Sequence, residues 1–374
     1  MQTTQLNVPE NIIDFGVGQP SLSLLPLAAL NQAAQHRLSQ ADPALLQYGA
    51  EAGDGYSRLA LAQFLSDGYG LPVEADQLFI TNGISQALDL ICTRFTQPGD
   101  TIFVEEPTYF LALHIFADYH LNLVGIPVDE EGLVIEALEE KLARHQPAFL
   151  YTIPTFHNPA ACTLSRARRE RLLALSLHHN FLIVADEVYH LLDYTATPPP
   201  ALASYVETEM VLSLGSFSKI LAPGLRLGWV QAAPVLLDRL IHSGLVESGG
   251  GLNLFTSGIA HSMLELGLQR EHLIHLKAVY RQRAAALSAA LRQHLPTSIT
   301  FDEPQGGFFI WLRLPEEMDA QLWLNKARRY DVAFQPGIKF SSAQGLTNYM
   351  RLCFAYYETE ELEDGVLRLA HVFV

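Results

Sequence analysis

The segment Ser213-Leu-Gly-Ser-Phe-Ser-Lys-Ile-Leu-Ala-Pro-Gly-Leu-Arg-Leu-Gly-Trp229 closes an apolar, strand-like run with a loop carrying two serines, a lysine and, seven residues on, an arginine. Ser216, Ser218 and Arg226 can grip an anion, while the amine of Lys219 beside them can condense with a carbonyl. A lysine in a Ser/Gly loop is ordinarily a solvated charge, so the loop alone does not decide a function. Its strand belongs to a pattern. Val211–Gly215 is one of seven short apolar runs rich in β-branched residues, with Gln77–Thr81, Thr101–Glu105, Leu121–Ile126, Phe149–Ile153, Phe181–Asp186 and Leu227–Gln231. Helical patterns such as Ile84–Phe95 and Arg166–His179 lie between them, and this alternation predicts an α/β fold with a mostly parallel seven-stranded sheet between helices. Ligands of such sheets bind outside the carboxyl ends of the strands.

After the Gly249–Gly251 run the pattern becomes a long helical region followed by strand-like Gly307–Leu314 and Tyr349–Ala355, a smaller α+β arrangement. The expected organisation is an N-terminal arm and substrate-site segment over 1–45, a large domain over 46–276 and a small C-terminal domain over 277–374, since 374 residues exceed what one core usually serves. The formal charge of −16 repels phosphate backbones and anionic bilayers, which argues against nucleic-acid or membrane partners. Cys92, Cys162 and Cys353 are odd in number and scattered, and the N-terminus lacks a charged-then-apolar leader, so a reducing cytoplasm is expected. His272 and His275 lie three apart with no companion ligand, so they read as solvated side chains and no metal is expected.

Three further motifs lie at predicted strand ends. Phe181-Leu-Ile-Val-Ala-Asp-Glu-Val-Tyr189 leaves the Asp186 carboxylate at the sheet edge. A protonated pyridine nitrogen would stabilise it there, with Tyr189 in reach of a ring hydroxyl; the plainer alternative is a helix N-cap. Tyr151-Thr-Ile-Pro-Thr-Phe-His-Asn-Pro159 presents Asn158, whose amide can bond a phenolic oxygen, though Asn-Pro is also common turn chemistry. Thr81-Asn-Gly-Ile-Ser-Gln-Ala-Leu-Asp-Leu90 is a strand end, a Gly turn and a helix start. Gly83, the Ile84 N–H and Ser85 could bind phosphate there, or simply cap the helix.

In this order, with Tyr109 in Glu106-Pro-Thr-Tyr109, the constellation resembles the class I and II aminotransferases of pyridoxal-phosphate (PLP) fold type I, over nearly the whole chain. The nearest likeness is to the 2-aminoadipate and kynurenine aminotransferases and the catalytic domain of MocR-type regulators. The resemblance implies that Lys219 carries PLP as a Schiff base, that Asp186 pairs with the pyridine nitrogen, that Asn158 and Tyr189 hold the ring oxygen, and that Tyr109 stacks on the ring. It assigns the phosphate to Gly83, Ile84, Ser85, Ser216, Ser218 and Arg226, with Tyr48 reaching the site of the partner in a homodimer. Arg351, in Asn348-Tyr-Met-Arg351-Leu, matches the residue that grips the substrate's α-carboxylate; read without the family, it is a surface arginine on a half-exposed strand. Gly16-Val-Gly18-Gln-Pro-Ser21 lacks the third glycine of a dinucleotide loop and suits a substrate-site segment, with Gly18 at the substrate.

Departures from the family pattern are Ala160-Ala-Cys162 after Asn158-Pro159, Ile84 in place of a common serine, and the Gly249–Gly251 run, expected as a flexible wall of the substrate site. The implied reaction is ping-pong transfer of an amino group between an L-amino acid and a 2-oxo acid, with Lys219 as anchor and acid/base. The same cofactor geometry also serves elimination, decarboxylation, cyclisation or oxidation, and a non-catalytic PLP-binding sensor is the reading from a different class.

Overall fold

The computed structural model describes residues 5, 8–194 and 197–373; residues 1–4 and 6–7 of the expected N-terminal arm lie outside the described residues. All seven apolar runs are strands of one sheet: Leu78–Thr81, Thr101–Glu106, Asn122–Asp129, Phe149–Thr152, Leu182–Asp186, Val211–Ser216 and Gly228–Ala232. An eighth, Gly132–Leu133, is a two-residue hairpin partner on the edge, too short to leave a periodic signal. Across the sheet the order is Leu78–Thr81, Gly228–Ala232, Val211–Ser216, Leu182–Asp186, Phe149–Thr152, Thr101–Glu106, Asn122–Asp129, Gly132–Leu133. Among the seven, only Gly228–Ala232 runs against both neighbours, because it returns from the lysine loop as a near-hairpin of Val211–Ser216.

The central strands Phe149–Thr152, Val211–Ser216 and Gly228–Ala232 are buried along their whole length, as expected of strands covered on both faces. Helix Ile84–Phe95 turns Ala87, Leu88, Leu90 and Ile91 into the core, and Arg166–His179 does so with Leu172 and Leu175. Both helices occupy the spans their periodicity predicts.

Beyond residue 300 a second sheet forms, with Tyr349–Cys353 antiparallel between Phe309–Arg313 and Gln335–Pro336. Helix Leu268–His294 runs unbroken through residue 277. Near the N-terminus, Ile13–Asp14 pairs in parallel with Val332–Ala333, and the Phe15 carbonyl accepts from the N–H of Cys353 at 2.8 Å. That pairing carries the following glycines, Gly16 and Gly18, to the strand bearing Arg351. Among the described residues, no helix is long and apolar enough to cross a membrane.

Candidate active site

Asp186 is the last residue of a strand whose preceding apolar residues force it to the carboxyl edge of the sheet, where it is 4% exposed. The Tyr151 hydroxyl donates to its Oδ2 at 2.8 Å, while Oδ1 is buried with no hydrogen-bond partner among the described residues. Burial pushes the carboxyl up to about 6, opposed by the Tyr151 hydroxyl, the Val188 N–H and the positive charge of Lys219. Residues 188–191 form a turn rather than a helix, so Asp186 is not an N-cap.

Lys219 stands three residues past the end of the adjacent strand. Its Nζ donates to the Gly18 carbonyl at 2.8 Å and lies 5.5 Å from the centre of the Phe308 ring. Burial lowers the amine to about 8; Arg351 and Arg226 push the same way, while Cys353 and Asp186 oppose it. The amine and the carboxylate thus lie close enough that each charge acts on the other.

The loop around the lysine closes on itself. The Ser218 N–H donates to Ser216 Oγ at 3.0 Å, and that hydroxyl donates to the Leu227 carbonyl at 3.2 Å. Arg226 adopts a left-handed conformation and reaches back, with Nη1 3.5 Å from Ser218 Oγ and Nη2 3.4 Å from the Asn82 carbonyl. Gly83 has φ +81° and admits that guanidinium: a Cβ there would come within 2.8 Å of Arg226 Nη2. Helix Ile84–Phe95 starts at Gly83 with no side-chain cap, so the first-turn N–H groups of Ile84 and Ser85 are offered beside two serines and an arginine.

Arg351 is buried, at 3% exposed, which corrects the surface reading of its strand. Nη1 donates to Asn158 Oδ1 and Nη2 to the Gly16 carbonyl, both at 2.9 Å, while Nε has no partner among the described residues. The guanidinium lies 4.2 Å from the Phe309 ring centre and 5.0 Å from that of Phe340, an aromatic slot that fixes its plane. The Asn158 amide group is therefore committed on its oxygen side to Arg351 and free on its nitrogen side to donate elsewhere.

Tyr109 and Tyr189 complete the site. Burial pushes the Tyr109 hydroxyl up to about 12, and the charges of Asp186, Arg351 and Arg226 all act on it, which puts it among the carboxylate, the guanidinium and the anion loop. Tyr189 packs on Phe308 and Phe309 at 5.4 and 5.8 Å between ring centres and senses Arg351, Tyr109 and Asp186. Tyr48 stands apart at 80% exposed, next to the bridge between Gly49 and Gly251.

A model of the family described as aminotransferase class I and II matches residues 10–369. The chain belongs to that family. It is an aminotransferase that works with pyridoxal phosphate, moving an amino group between an amino acid and a 2-oxo acid. It is 37% identical over 367 residues to aromatic-amino-acid aminotransferase 1 of Thermococcus litoralis, covering 96% of this chain and 87% of that protein. Two solved structures are similar. One is LysN, an alpha-aminoadipate aminotransferase from Thermus thermophilus complexed with N-(5'-phosphopyridoxyl)-L-leucine, at TM-score 0.89 and 31% identity over 97% of this chain and 92% of that one. The other is kynurenine aminotransferase from Pyrococcus horikoshii, at TM-score 0.91 and 33% identity over 97% and 91%.

The residues present fit the aminotransferase cofactor on their own chemistry. The buried, unpartnered Oδ1 of Asp186 lacks a positive donor, the desolvated Lys219 offers an amine, and the Gly83 cradle under Arg226 offers donors to a phosphate.

Sequence reading misses the partners that orient these groups. Tyr151 sits within a quoted motif, but its role depends on Phe149–Thr152 lying beside Leu182–Asp186, which residue order alone does not state. The carbonyls of Gly16, Gly18 and Asn82 leave no side-chain signal at all. Within the Gly249–Gly251 run, expected as a flexible wall, Gly249 is open on its Cβ side while Gly250 and Gly251 pack closely against the backbone of residues 49–50. The Gly251 N–H donates to the Gly49 carbonyl at 2.9 Å, and a Cβ on Gly251 would fall 2.0 Å from the Ala50 carbonyl oxygen, so glycine there permits close backbone packing. His272 is half-buried rather than solvated, and burial lowers it to about 4.

Proposed function

We propose that Lys219 is the residue that binds the cofactor and moves the substrate's proton, and that the enzyme works by a ping-pong exchange between an L-amino acid and a 2-oxo acid. The observation that carries this reading is a half-buried amine whose charge acts on both a buried carboxylate with one unpartnered oxygen and a buried arginine fork. When bound, pyridoxal phosphate supplies an aldehyde that condenses with amines and a ring that accepts electron density from the bond being broken.

Each remaining role belongs to this chain's own residues. With the cofactor bound, Asp186 would hold the ring nitrogen and keep its positive charge, Asn158 and Tyr189 would donate to the ring oxygen, and Tyr109 would stack on the ring. Gly83, Ile84 and Ser85 would offer the phosphate first-turn donors, and Ser216, Ser218 and Arg226 would add theirs. Arg351 takes the substrate's α-carboxylate as a fork, with Gly18 bounding the substrate. With the carboxylate so held, the bond presented to Lys219 is Cα–H, which favours amino transfer over decarboxylation. Lys219 Nζ, lowered to about 8, has a far larger neutral fraction near neutral pH than an ordinary lysine and in that form can accept the proton.

The amino donor is proposed to carry an aromatic or large apolar side chain. The named specificity of the 37%-identical relative supports this. We also propose a homodimer in the cytoplasm, with Tyr48 lent to the partner's phosphate. Leu22, Leu27, Leu46, Tyr48 and Tyr56 are each more than two-thirds exposed in the first 56 residues, a concentration of apolar surface suited to an interface. The proposed domain limits remain 1–45, 46–276 and 277–374. The experiment is to load the protein with pyridoxal phosphate, reduce it with borohydride and map the labelled peptide, then follow the loaded enzyme's absorbance with a panel of amino acids. Label on Lys219 and spectral turnover with aromatic donors are expected; label elsewhere refutes the assignment.

A further inference from the structure

The buried carboxyl of Asp186 is asymmetric. Oδ2 is occupied by the Tyr151 hydroxyl at 2.8 Å, whereas Oδ1 has no partner among the described residues. Tyr151 is fully buried, at 0% exposed, with its ring edge-on to Phe116 at 5.4 Å, so its hydroxyl is fixed by packing rather than free to sample partners. In the sheet, Tyr151 pairs with Val184 and Thr152 with Ala185, so the tyrosine's strand lies directly beside the one that Asp186 ends. A carboxylate with one oxygen tied to a rigid donor can turn only the other oxygen toward a ligand.

We propose that Tyr151 is a positioning residue for the cofactor: its hydroxyl fixes Asp186 Oδ2, so that Oδ1 faces the ring nitrogen and the shared proton stays on the ring. The inference rests on the proposed role of Asp186. Its physical content is a competition for charge. A hydrogen bond donated to a carboxylate stabilises the ionised form and makes it a weaker base. Removing that donor strengthens Asp186 as a base, and the proton between carboxylate and ring nitrogen moves toward Asp186. The other groups acting on Asp186 are Lys219, Glu187 and the Val188 N–H, and the phenol is the one side-chain hydrogen-bond donor to it among the described residues. Because the Tyr151 hydroxyl bonds neither Arg351 nor Asn158, the substrate's carboxylate grip is untouched by its loss.

The test compares wild type and Tyr151→Phe, which keeps the ring and its packing and deletes only the hydroxyl. Pyridoxal phosphate labelled with 15N in the ring is bound to each, and its nitrogen resonance reads where the proton sits; cofactor affinity is measured by titrating cofactor-free protein. The variant is expected to bind cofactor roughly tenfold or more weakly, to shift the nitrogen signal toward the unprotonated ring, and to lower kcat with KM for the amino acid nearly unchanged. As a second variant, 3-fluorotyrosine at position 151, a more acidic phenol and stronger donor, is expected to shift the nitrogen signal the opposite way. An unchanged nitrogen signal in either variant, with wild type loaded normally, overturns the proposal. Failure of wild type to show a protonated ring would instead overturn the role given to Asp186.

Discussion

Replacing Asp186 with asparagine separates what the carboxylate does for the fold from what it does for the cofactor. Burial raises its carboxyl from 3.8 to about 6, so the folded, cofactor-free chain still holds a proton between about pH 4 and 6 that the unfolded chain has released. Stability therefore falls as pH rises through that window, and above it the ionised carboxylate destabilises the fold by at most about 3 kcal/mol, at roughly 1.4 kcal/mol per pKa unit. Asparagine cannot ionise, and its amide oxygen can still accept from the Tyr151 hydroxyl. Cofactor-free Asp186→Asn is thus expected to be more stable than wild type at pH 7 by on the order of 1–3 kcal/mol, with the two curves converging near pH 4. Urea unfolding at one fixed protein concentration across that range measures it, fixed because association shifts apparent stability. With saturating pyridoxal phosphate the order is expected to reverse, since in the proposed role only wild type pairs a charge with the ring nitrogen. A difference between the cofactor-free proteins that stays constant from pH 4 to pH 7 would refute the reasoning.

Two other substitutions probe separate parts of the site. Arg351→Lys replaces a stacked fork by a point charge, and kcat/KM for an α-amino acid is expected to drop roughly a hundredfold or more, while turnover of the corresponding amine without a carboxylate changes by only a few-fold; equal losses on both would sink the carboxylate role. Gly83→Ala puts a Cβ within 2.8 Å of Arg226 Nη2 at a φ of +81°, so cofactor affinity measured by titration should fall about tenfold, with a thermal shift of the cofactor-free chain equivalent to about 1 kcal/mol; unchanged affinity would remove Gly83 from the phosphate site.

Legibility varied with the kind of signal. Lys219, Asp186, Asn158 and Arg226 carry distinctive side chains at the ends of apolar runs, and the structure gathers them at the carboxyl edge of one sheet or above it. Arg351 was visible only through its match to a family, because a strand sequence does not reveal that two phenylalanines and a glycine carbonyl will enclose its head group. The Gly249–Gly251 run carries a signal that sequence cannot resolve: glycine permits freedom in an isolated chain, yet at Gly250 and Gly251 another backbone passes too close for a side chain.

From its sequence alone this protein had the seven long strands of its large sheet, the helical patterns between them and the chemical types of its site determined, because apolar periodicity and strand-end polar residues are local properties that survive without a fold. Tertiary structure decided which neighbours each group received. It set the Phe149–Thr152 strand beside the strand of Asp186, so that one carboxylate oxygen is tied and the other free. It also brought the Gly16 and Gly18 carbonyls across more than 200 residues to Arg351 and Lys219. The reason is that burial and hydrogen-bond satisfaction are set by the order in which strands assemble, and linear order does not contain that order.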